Sequence, residues 1–187
     1  LVQLGAVASI RSSTVNPTED KFSQLPHVSP EHIRSHSGRI AWEDVQTASE
    51  DGVVSGKYLF ANNCVLYSKI RPYLNKVAVS DRDGLCSADM YAIDAHDEKT
   101  YPVFLKYLLM QQRFLTYAES CSGRANIPKI NRKQLSCYEF NLPELSLQKE
   151  LSERIDSLSS VMRKGMFSED RLDKLFSALQ HRAFRGE

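Results

Sequence analysis

The sequence predicts an α+β protein, in which a mixed globular domain precedes a long C-terminal α-helix that forms a coiled coil. Short strand-like segments are mixed irregularly with one apolar helical segment over residues 1–142, which is typical of α+β domains rather than doubly wound sheets. Apolar residues then recur at steps of three and four over residues 143–187, as on one face of a helix. We therefore divide the chain between residues 142 and 143.

The apolar face of the C-terminal segment is longer than the preceding domain can cover. About forty residues in one helix, at about 1.5 Å each, form a rod of about 60 Å. An apolar face that extends past its own domain needs a partner helix, so we expect pairing with a second copy or a second half. The residues expected on this face are Leu147, Leu151, Ile155, Leu158, Met162, Leu172, Leu175 and Leu179.

The elements of the first domain follow in chain order. Residues 2–10 alternate weakly and predict an opening strand or short helix, whereas residues 11–39 are polar and rich in turn-forming residues, as in loops. Residues 102–117 place leucine and phenylalanine on a broad helical face, and residues 122–128 form a loop. Runs rich in β-branched and aromatic residues predict strands at residues 58–60, 64–70, 76–79, 90–93 and 138–142.

Length and composition limit the class of protein. The chain has 187 residues, of which 42% are hydrophobic and 25% charged, enough for one domain core of about 140 residues. It has no apolar run of membrane-spanning length. Because the chain opens with neither Met nor a signal pattern, we expect it to begin inside a longer reading frame or after a removed tag. The four cysteines form no C-x-x-C pair and indicate reduced thiols in a cytoplasmic protein.

Patterns for catalysis and for metal binding are weak in this sequence. Residues 52–58 superficially resemble a phosphate-binding loop, but one residue is missing between the glycines and Tyr58 replaces the magnesium-binding Ser or Thr, so a hairpin or loop is expected. His27, His32 and His36 form a zinc site only if the segment between them is helical, and no further ligand has a supporting spacing. We expect no catalytic site, metal or cofactor in this chain.

Positive charge is distributed unevenly, although the net charge is only +1. Residues 101–143 contain six Lys and Arg against two Asp and Glu, whereas residues 1–100 contain ten against thirteen. A local excess of four is typical both of a surface that binds a phosphate backbone and of an ordinary solvated face. Arg and Asn bind base edges and Lys binds phosphate. The candidate DNA-binding residues are Lys69, Arg71, Lys76, Arg124, Asn126, Lys129, Asn131 and Lys133.

Five segments in a fixed order carry a resemblance to a known family. They are CVLYSKIRP (64–72), CSADM (86–90), the helix and Ser-Gly turn followed by INRKQL (130–135), LPELSLQ (142–148), and residues 172–187. They resemble the D-V-L-x-S-x-x-x-P, x-S-x-D-F/Y, G-x(5–8)-I-N-x-x-x-L and L-P-P-L-x-E-Q segments and the closing helix of the specificity subunits of type I restriction-modification enzymes. Each motif alone is degenerate, but five in order are specific.

This resemblance implies a target recognition domain over residues 1–142 and one conserved-region helix over residues 143–187, which acts as dimerisation element and spacer. Members of the family normally have two of each. The implied function is non-catalytic recognition of half of a bipartite site in double-stranded DNA. The implied partners are methyltransferase subunits, which supply the adenosylmethionine chemistry, and a motor-nuclease subunit. A fragment of a fused restriction-methylation enzyme with an upstream catalytic part and a helix-mediated scaffold without a DNA role are the alternatives.

Overall fold

Two four-stranded sheets and a layer of helices make up the first domain in the computed structural model, which describes residues 1–122, 127–155 and 157. The strands are β1 (Val2–Gln3), β2 (Ala8–Ile10), β3 (Thr14–Val15), β4 (His27–Val28), β5 (Ile33–Arg34), β6 (Arg39–Ile40), β7 (Lys57–Phe60), β8 (Val65–Ser68), β9 (Val77–Val79), β10 (Gly84–Cys86), β11 (Met90–Ala95) and β12 (Glu139–Phe140). The helices are α1 (Asp20–Ser23), α2 (Pro102–Met110), α3 (Gln112–Cys121) and α4 (Arg132–Ser136).

The central sheet has the strand order β2-β11-β8-β9, and all its neighbouring strands are antiparallel. Strand β8 is buried along its whole length. Val65 and Tyr67 belong to the core shared with the helices, whereas Leu66 belongs to the core shared with the second sheet. A strand covered on both faces has an uninterrupted apolar sequence. The sequence therefore predicts this part of the fold well.

The second sheet has the order β3-β7-β10-β4, with a parallel pair between β10 and β4. It packs on the central sheet through residues that include Phe60 and Met90. Gly84 makes this packing possible, because a Cβ atom there would lie 2.5 Å from Cζ of Phe60. Two further pairs complete the domain: β5 with β6, and β1 with β12 near the two ends of the domain.

The prediction of a single helix over residues 102–117 is wrong. Gln111, with ψ of 146°, ends α2 and begins α3, which continues to Cys121. The buried residues explain the break: Leu105 and Leu109 are four residues apart, but Phe114 follows five residues later. In a continuous helix that last step would turn Phe114 by about 140° away from the apolar stripe. The break returns Phe114 to the same core, where its ring packs edge-on against Tyr67.

The strands predicted at residues 58–60, 64–70, 76–79, 90–93 and 138–142 are confirmed as β7, β8, β9, β11 and β12, with shifted ends. Residues 2–10 contain strands β1 and β2 with a 3₁₀ turn between them. Residues 11–39, predicted as loops, contain α1 and strands β3 to β5, and helix α4 was also missed. Strands of two residues are too short to show a period of two, which explains the first error.

The segment that superficially resembles a phosphate-binding loop is a turn and loop that leads into β7, as expected. The chain divides into two units, Leu1–Lys149 and Glu150–Glu187. Residues 145–155 and residue 157 are helical. The predicted boundary at residue 142 and the long rod stay predictions, since Leu158, Met162, Leu172, Leu175 and Leu179 lie outside the described residues. No helix in the described part of the chain is long and apolar enough to cross a membrane.

Candidate nucleic-acid interface

Two segments that carry the predicted DNA-binding residues lie side by side. The backbone N–H of Arg71 donates to the carbonyl of Pro128 at 2.7 Å, and the N–H of Ile130 donates to the carbonyl of Lys69 at 3.0 Å. Ile70 and Lys129 form an antiparallel bridge between these bonds. The segments that carry the cations near residue 70 and those near residue 130 are therefore adjacent, although about sixty residues separate them in the sequence.

Arg71 occupies a backbone conformation that few non-glycine residues adopt. Its φ of 48° is left-handed, as is that of Asn75, and the two residues flank the 3₁₀ turn Pro72–Leu74. Asparagine tolerates this region well, and the Asn75 carboxamide also donates to the carbonyl of Met110 at 3.1 Å. For an arginine, the left-handed backbone conformation costs about 1 kcal/mol or more. The bond to Pro128 holds Arg71 in place, and strain of this kind is concentrated at functional sites.

An open cleft of about 360 Å³ lies beside this turn. Its lining residues include both signs of charge, the cations Arg71 and Lys76 and the acidic residues Glu31 and Asp89. A cleft that offers both donors and acceptors suits the mixed hydrogen-bonding pattern of a base edge better than it suits a phosphate. The remaining lining residues are Ser29, Pro30, Ser68, Ile70, Leu74 and Ser87.

Two of the predicted DNA-binding side chains already have partners inside the chain. The Nζ of Lys76 donates to the carbonyl of Pro30 at 2.7 Å, so it connects two walls of the cleft. Burial lowers the pKa of Lys76, and the nearby carboxylate of Glu31 opposes that shift. Asn131 is the N-cap of helix α4, where its Oδ1 accepts from the N–H of Gln134 at 2.9 Å. Both residues therefore have a structural role, whatever they contribute to binding.

Lys69 is half-buried, with its Nζ 5.7 Å from the centre of the Tyr91 ring. Arg132 approaches the same ring at 5.5 Å and donates to the carbonyl of Ile10. The hydroxyl of Tyr91 in turn donates to the carbonyl of Ile130 at 3.3 Å. A buried ring with two cations near it holds the 130 segment against the central sheet. Arg132 thus acts mainly as a packing residue.

Three predicted cations remain available to a ligand. Arg71, Lys129 and Lys133 are exposed, and none of them forms a salt bridge within the part of the chain that the structure describes. Arg124 and Asn126 lie outside the described residues, in the gap between 122 and 127. Leu147, which is predicted to lie on the apolar face of the C-terminal helix, is 54% exposed.

Sequence reasoning missed several polar and aromatic features near the cleft. The hairpin β5–β6 approaches the turn, and the N–H of His36 donates to the carbonyl of Asn75 at 3.1 Å. Tyr73, at the centre of the turn, is 48% exposed. The sequence did contain one indication of this hairpin, since Gly38, a residue suited to a turn, lies between Ile33 and Ile40, which pair across the two strands. No sequence pattern marked the acidic residues of the cleft as part of the same site.

The histidines considered for zinc are engaged separately. Nδ1 of His27 lies 2.5 Å from Oδ2 of Asp51, and His32 accepts from the backbone N–H of Ser29 at 3.1 Å. No group of three or more His, Cys, Asp or Glu side chains suited to a metal ion occurs among the described residues. Burial lowers the pKa of His27, while Asp51 opposes the shift.

The sequence that forms this α+β fold matches the model of a known protein family. The family model described as "Type I restriction modification DNA specificity domain" matches residues 27–164, more than half of the chain. This chain therefore belongs to that family, and the resemblance carried by its five sequence segments is confirmed.

A specific relative supports this membership. The chain is 35% identical to the type I restriction enzyme EcoDI specificity subunit of Escherichia coli over 185 aligned residues. The aligned region covers 97% of this chain and 40% of that subunit. The HsdS subunit from Thermoanaerobacter tengcongensis is similar in fold, with a TM-score of 0.72 at 22% identity over 87% of this chain and 42% of that one. The type I restriction-modification S subunit from M. genitalium is also similar in fold, with a TM-score of 0.55 at 11% identity. That match covers 87% of this chain and 39% of the S subunit. This chain thus spans about two fifths of the length of these relatives.

Proposed function

We propose that this chain is a sequence-specific DNA-recognition subunit that reads one half of a bipartite site for a type I restriction-modification system. The observation that carries the proposal is the antiparallel contact between residues 69–71 and 128–130. It brings side by side the two segments, distant in the sequence, that carry the predicted DNA-binding cations. Membership of the specificity family favours this function over a fused-enzyme fragment or a scaffold.

The exposed cations divide into two roles in this proposal. Lys129 and Lys133 lie on the outer side of the 128–133 segment and bind phosphate as mobile point charges. Arg71 sits on a turn held by backbone hydrogen bonds, so its guanidinium is placed for a bidentate contact with a base edge. Lys69, Lys76 and Asn131 contribute to the same interface in our proposal, and Arg124 and Asn126, which lie outside the described residues, are proposed DNA contacts on the sequence alone.

We further propose that the C-terminal helix pairs as a coiled coil with a second copy or second half and sets the distance between two half-sites. The exposed side chains of Leu147 and Leu151 support the proposal, because they are four residues apart in a helical segment and apolar residues at that spacing are typical of a face that packs on a partner helix. The chain itself is non-catalytic in this proposal. Methyltransferase subunits bring adenosylmethionine, a motor-nuclease subunit brings cleavage, and the complex acts on DNA in the cytoplasm.

Selection from random duplexes tests the proposal directly. The chain, together with its methyltransferase subunit, is mixed with a random duplex library, and the retained DNA is sequenced. We expect one half-site sequence to be enriched. Lys129→Ala and Lys133→Ala should then weaken binding to target and scrambled duplexes alike and lower the slope of log affinity against log salt by about one each.

Lys99→Ala is the matched control, since Lys99 is also exposed but follows the far end of β11. It should leave the salt slope unchanged. A library that shows no enrichment, together with slopes that neither lysine substitution changes, would exclude DNA recognition by this surface.

A further inference from the structure

The hairpin formed by β5 and β6 is fastened beside the cleft at two points. The N–H of His36 at its tip donates to the carbonyl of Asn75 at 3.1 Å, and the Nζ of Lys76 donates to the carbonyl of Pro30 at 2.7 Å. Two consecutive residues thus hold both ends of the segment that leads into the tip. The tip therefore lies close to the cleft, at the end of the turn that begins with Arg71.

Hydrogen bonds within the tip also fix its backbone. Oγ of Ser37 donates to the carbonyl of Arg34 at 2.8 Å and accepts from the N–H of Arg39 at 3.2 Å. A Cβ atom at Gly38 would lie 3.2 Å from Sδ of Met110, so the tip packs on the end of helix α2. A backbone that is held before the ligand arrives places its side chains for selective contacts.

His36 occupies a backbone conformation that favours glycine, with φ of 58°. Glycine adopts this conformation freely, whereas only a few per cent of other residues do. A glycine would also keep the N–H that donates to Asn75, so the hairpin does not need an imidazole to form. The imidazole is exposed. A side chain that the fold does not need, at a strained position next to a cleft, indicates a role in binding.

The hairpin has a shape that fits DNA. It is a two-stranded antiparallel ribbon that belongs to neither four-stranded sheet, and such a ribbon fits the major groove of B-form DNA. Ile33 and Ile40 pair across the ribbon and pack with the core, whereas residues 34–37 are exposed. One face of the ribbon is thus fixed to the domain, and its tip is left for a partner.

Charge beside the tip is balanced, which favours a contact with a base over a contact with phosphate. Arg34 pairs with Asp44 at 2.8 Å and with Glu43 at 3.4 Å, and Glu43 also lies near Arg39. The imidazole of His36 donates through one nitrogen in either neutral tautomer. In the major groove, N7 of adenine or guanine accepts one such bond, and pyrimidines have no ring-nitrogen acceptor there.

We propose that His36 is a specificity-determining residue that donates a hydrogen bond to N7 of one purine in the half-site. This proposal rests on the DNA-recognition function proposed above and names the base edge that the hairpin selects. The hairpin lies outside the five segments that resemble the family, so its tip can differ between subunits that recognise different sites. The phosphate contacts remain with Lys129 and Lys133.

The test uses the half-site found by selection and duplexes in which one purine at a time is replaced by its 7-deaza analogue. This analogue has a C–H group in place of N7 and keeps the edge that pairs with the other strand. The wild-type chain, in complex with its methyltransferase subunit, should lose affinity by about 5- to 10-fold at the position that His36 contacts.

His36→Gly removes the imidazole and relieves the left-handed backbone. At that position the variant should bind the natural and the 7-deaza duplex equally well. On scrambled duplexes it should have the affinity and the salt slope of wild type, and it should unfold at the same or a higher temperature. A merely structural role for His36 predicts instead a lower unfolding temperature and weaker binding to every duplex.

Asn63→Gly is the matched control. Asn63 is also exposed and left-handed, with φ of 64°, but it precedes β8, whereas Arg71 follows that strand. This variant should keep the wild-type response to every 7-deaza duplex. If His36→Gly also keeps that response while Lys129→Ala still lowers the salt slope, the inference fails and DNA recognition stands. If the wild-type chain prefers no sequence at all, the proposed function fails, and this inference fails with it.

Discussion

Gln148 binds the backbone at Tyr101, where helix α2 begins. Its Oε1 accepts from the N–H of Tyr101 at 3.0 Å, and its Nε2 donates to the carbonyls of Lys99 and Pro143 at 2.9 and 2.8 Å. The side chain is completely buried. Gln148 is also the glutamine of the LPELSLQ segment. Its presence in that motif has a structural reason, because one side-chain amide binds one backbone N–H and two backbone carbonyls near the end of the first domain.

Replacing Gln148 by Ala should therefore destabilise the domain strongly. The change leaves three partly buried backbone groups without partners, at a cost of about 2–4 kcal/mol in the free energy of unfolding. Urea denaturation followed by circular dichroism measures this loss. Lys149→Ala, at the exposed neighbouring position, should change the free energy by less than about 0.5 kcal/mol. Equal effects of the two substitutions would contradict the assigned role of Gln148.

The left-handed backbone at Arg71 predicts a conflict between stability and binding. Arg71→Ala keeps the strained φ of 48°, whereas Arg71→Gly relieves it. The glycine variant should be more stable than the alanine variant by about 1 kcal/mol. Both variants should lose selectivity for the target duplex. Thermal unfolding and duplex binding of the pair measure the two effects, and an alanine variant as stable as the glycine variant would show that the turn is not strained.

Pairing through the C-terminal helix predicts that two charges on its apolar face abolish dimerisation. Each buried leucine at such a seam contributes about 1.5–3 kcal/mol, so the double substitution Leu158→Glu, Leu175→Glu should yield monomers in sedimentation analysis. Ser160→Glu, Ser177→Glu introduces the same charges about 200° around the helix from those leucines and should leave the dimer intact. A dimer that persists in the leucine variant would exclude this seam.

His27 predicts a pH dependence of stability in the acidic range. Burial lowers its pKa from the ordinary 6.5, so the unfolded chain binds a proton more readily than the folded domain does. The stabilisation is complete above pH 6.5 and is lost as the pH falls from there through the lowered pKa. Urea midpoints between pH 8 and pH 5 should decline more steeply for wild type than for His27→Gln. Parallel declines would show that His27 does not contribute.

Much of the central sheet is predictable because burial on both faces leaves a continuous apolar sequence. Strands β8, β9 and β11 were found for this reason. The two-residue strands β3, β4, β5 and β6 were missed because they are held by pairing with other segments rather than by a pattern of their own. The break at Gln111 was also missed. The five-residue spacing between Leu109 and Phe114 is visible in the sequence, but only the tertiary structure shows that the helix breaks there so that Phe114 can reach the core.

The sequence by itself determined the family, the α+β class and which residue types were available for DNA, because those properties depend on residue identity and order. Only the tertiary structure decided how these residues are used. It joined Lys69–Arg71 to Pro128–Ile130, gave Lys76 and Asn131 partners inside the chain, and left Arg71, Lys129 and Asp89 exposed at the surface. A polar side chain is available to a ligand only when the fold has not already satisfied it, and that depends on contacts between segments far apart in the sequence.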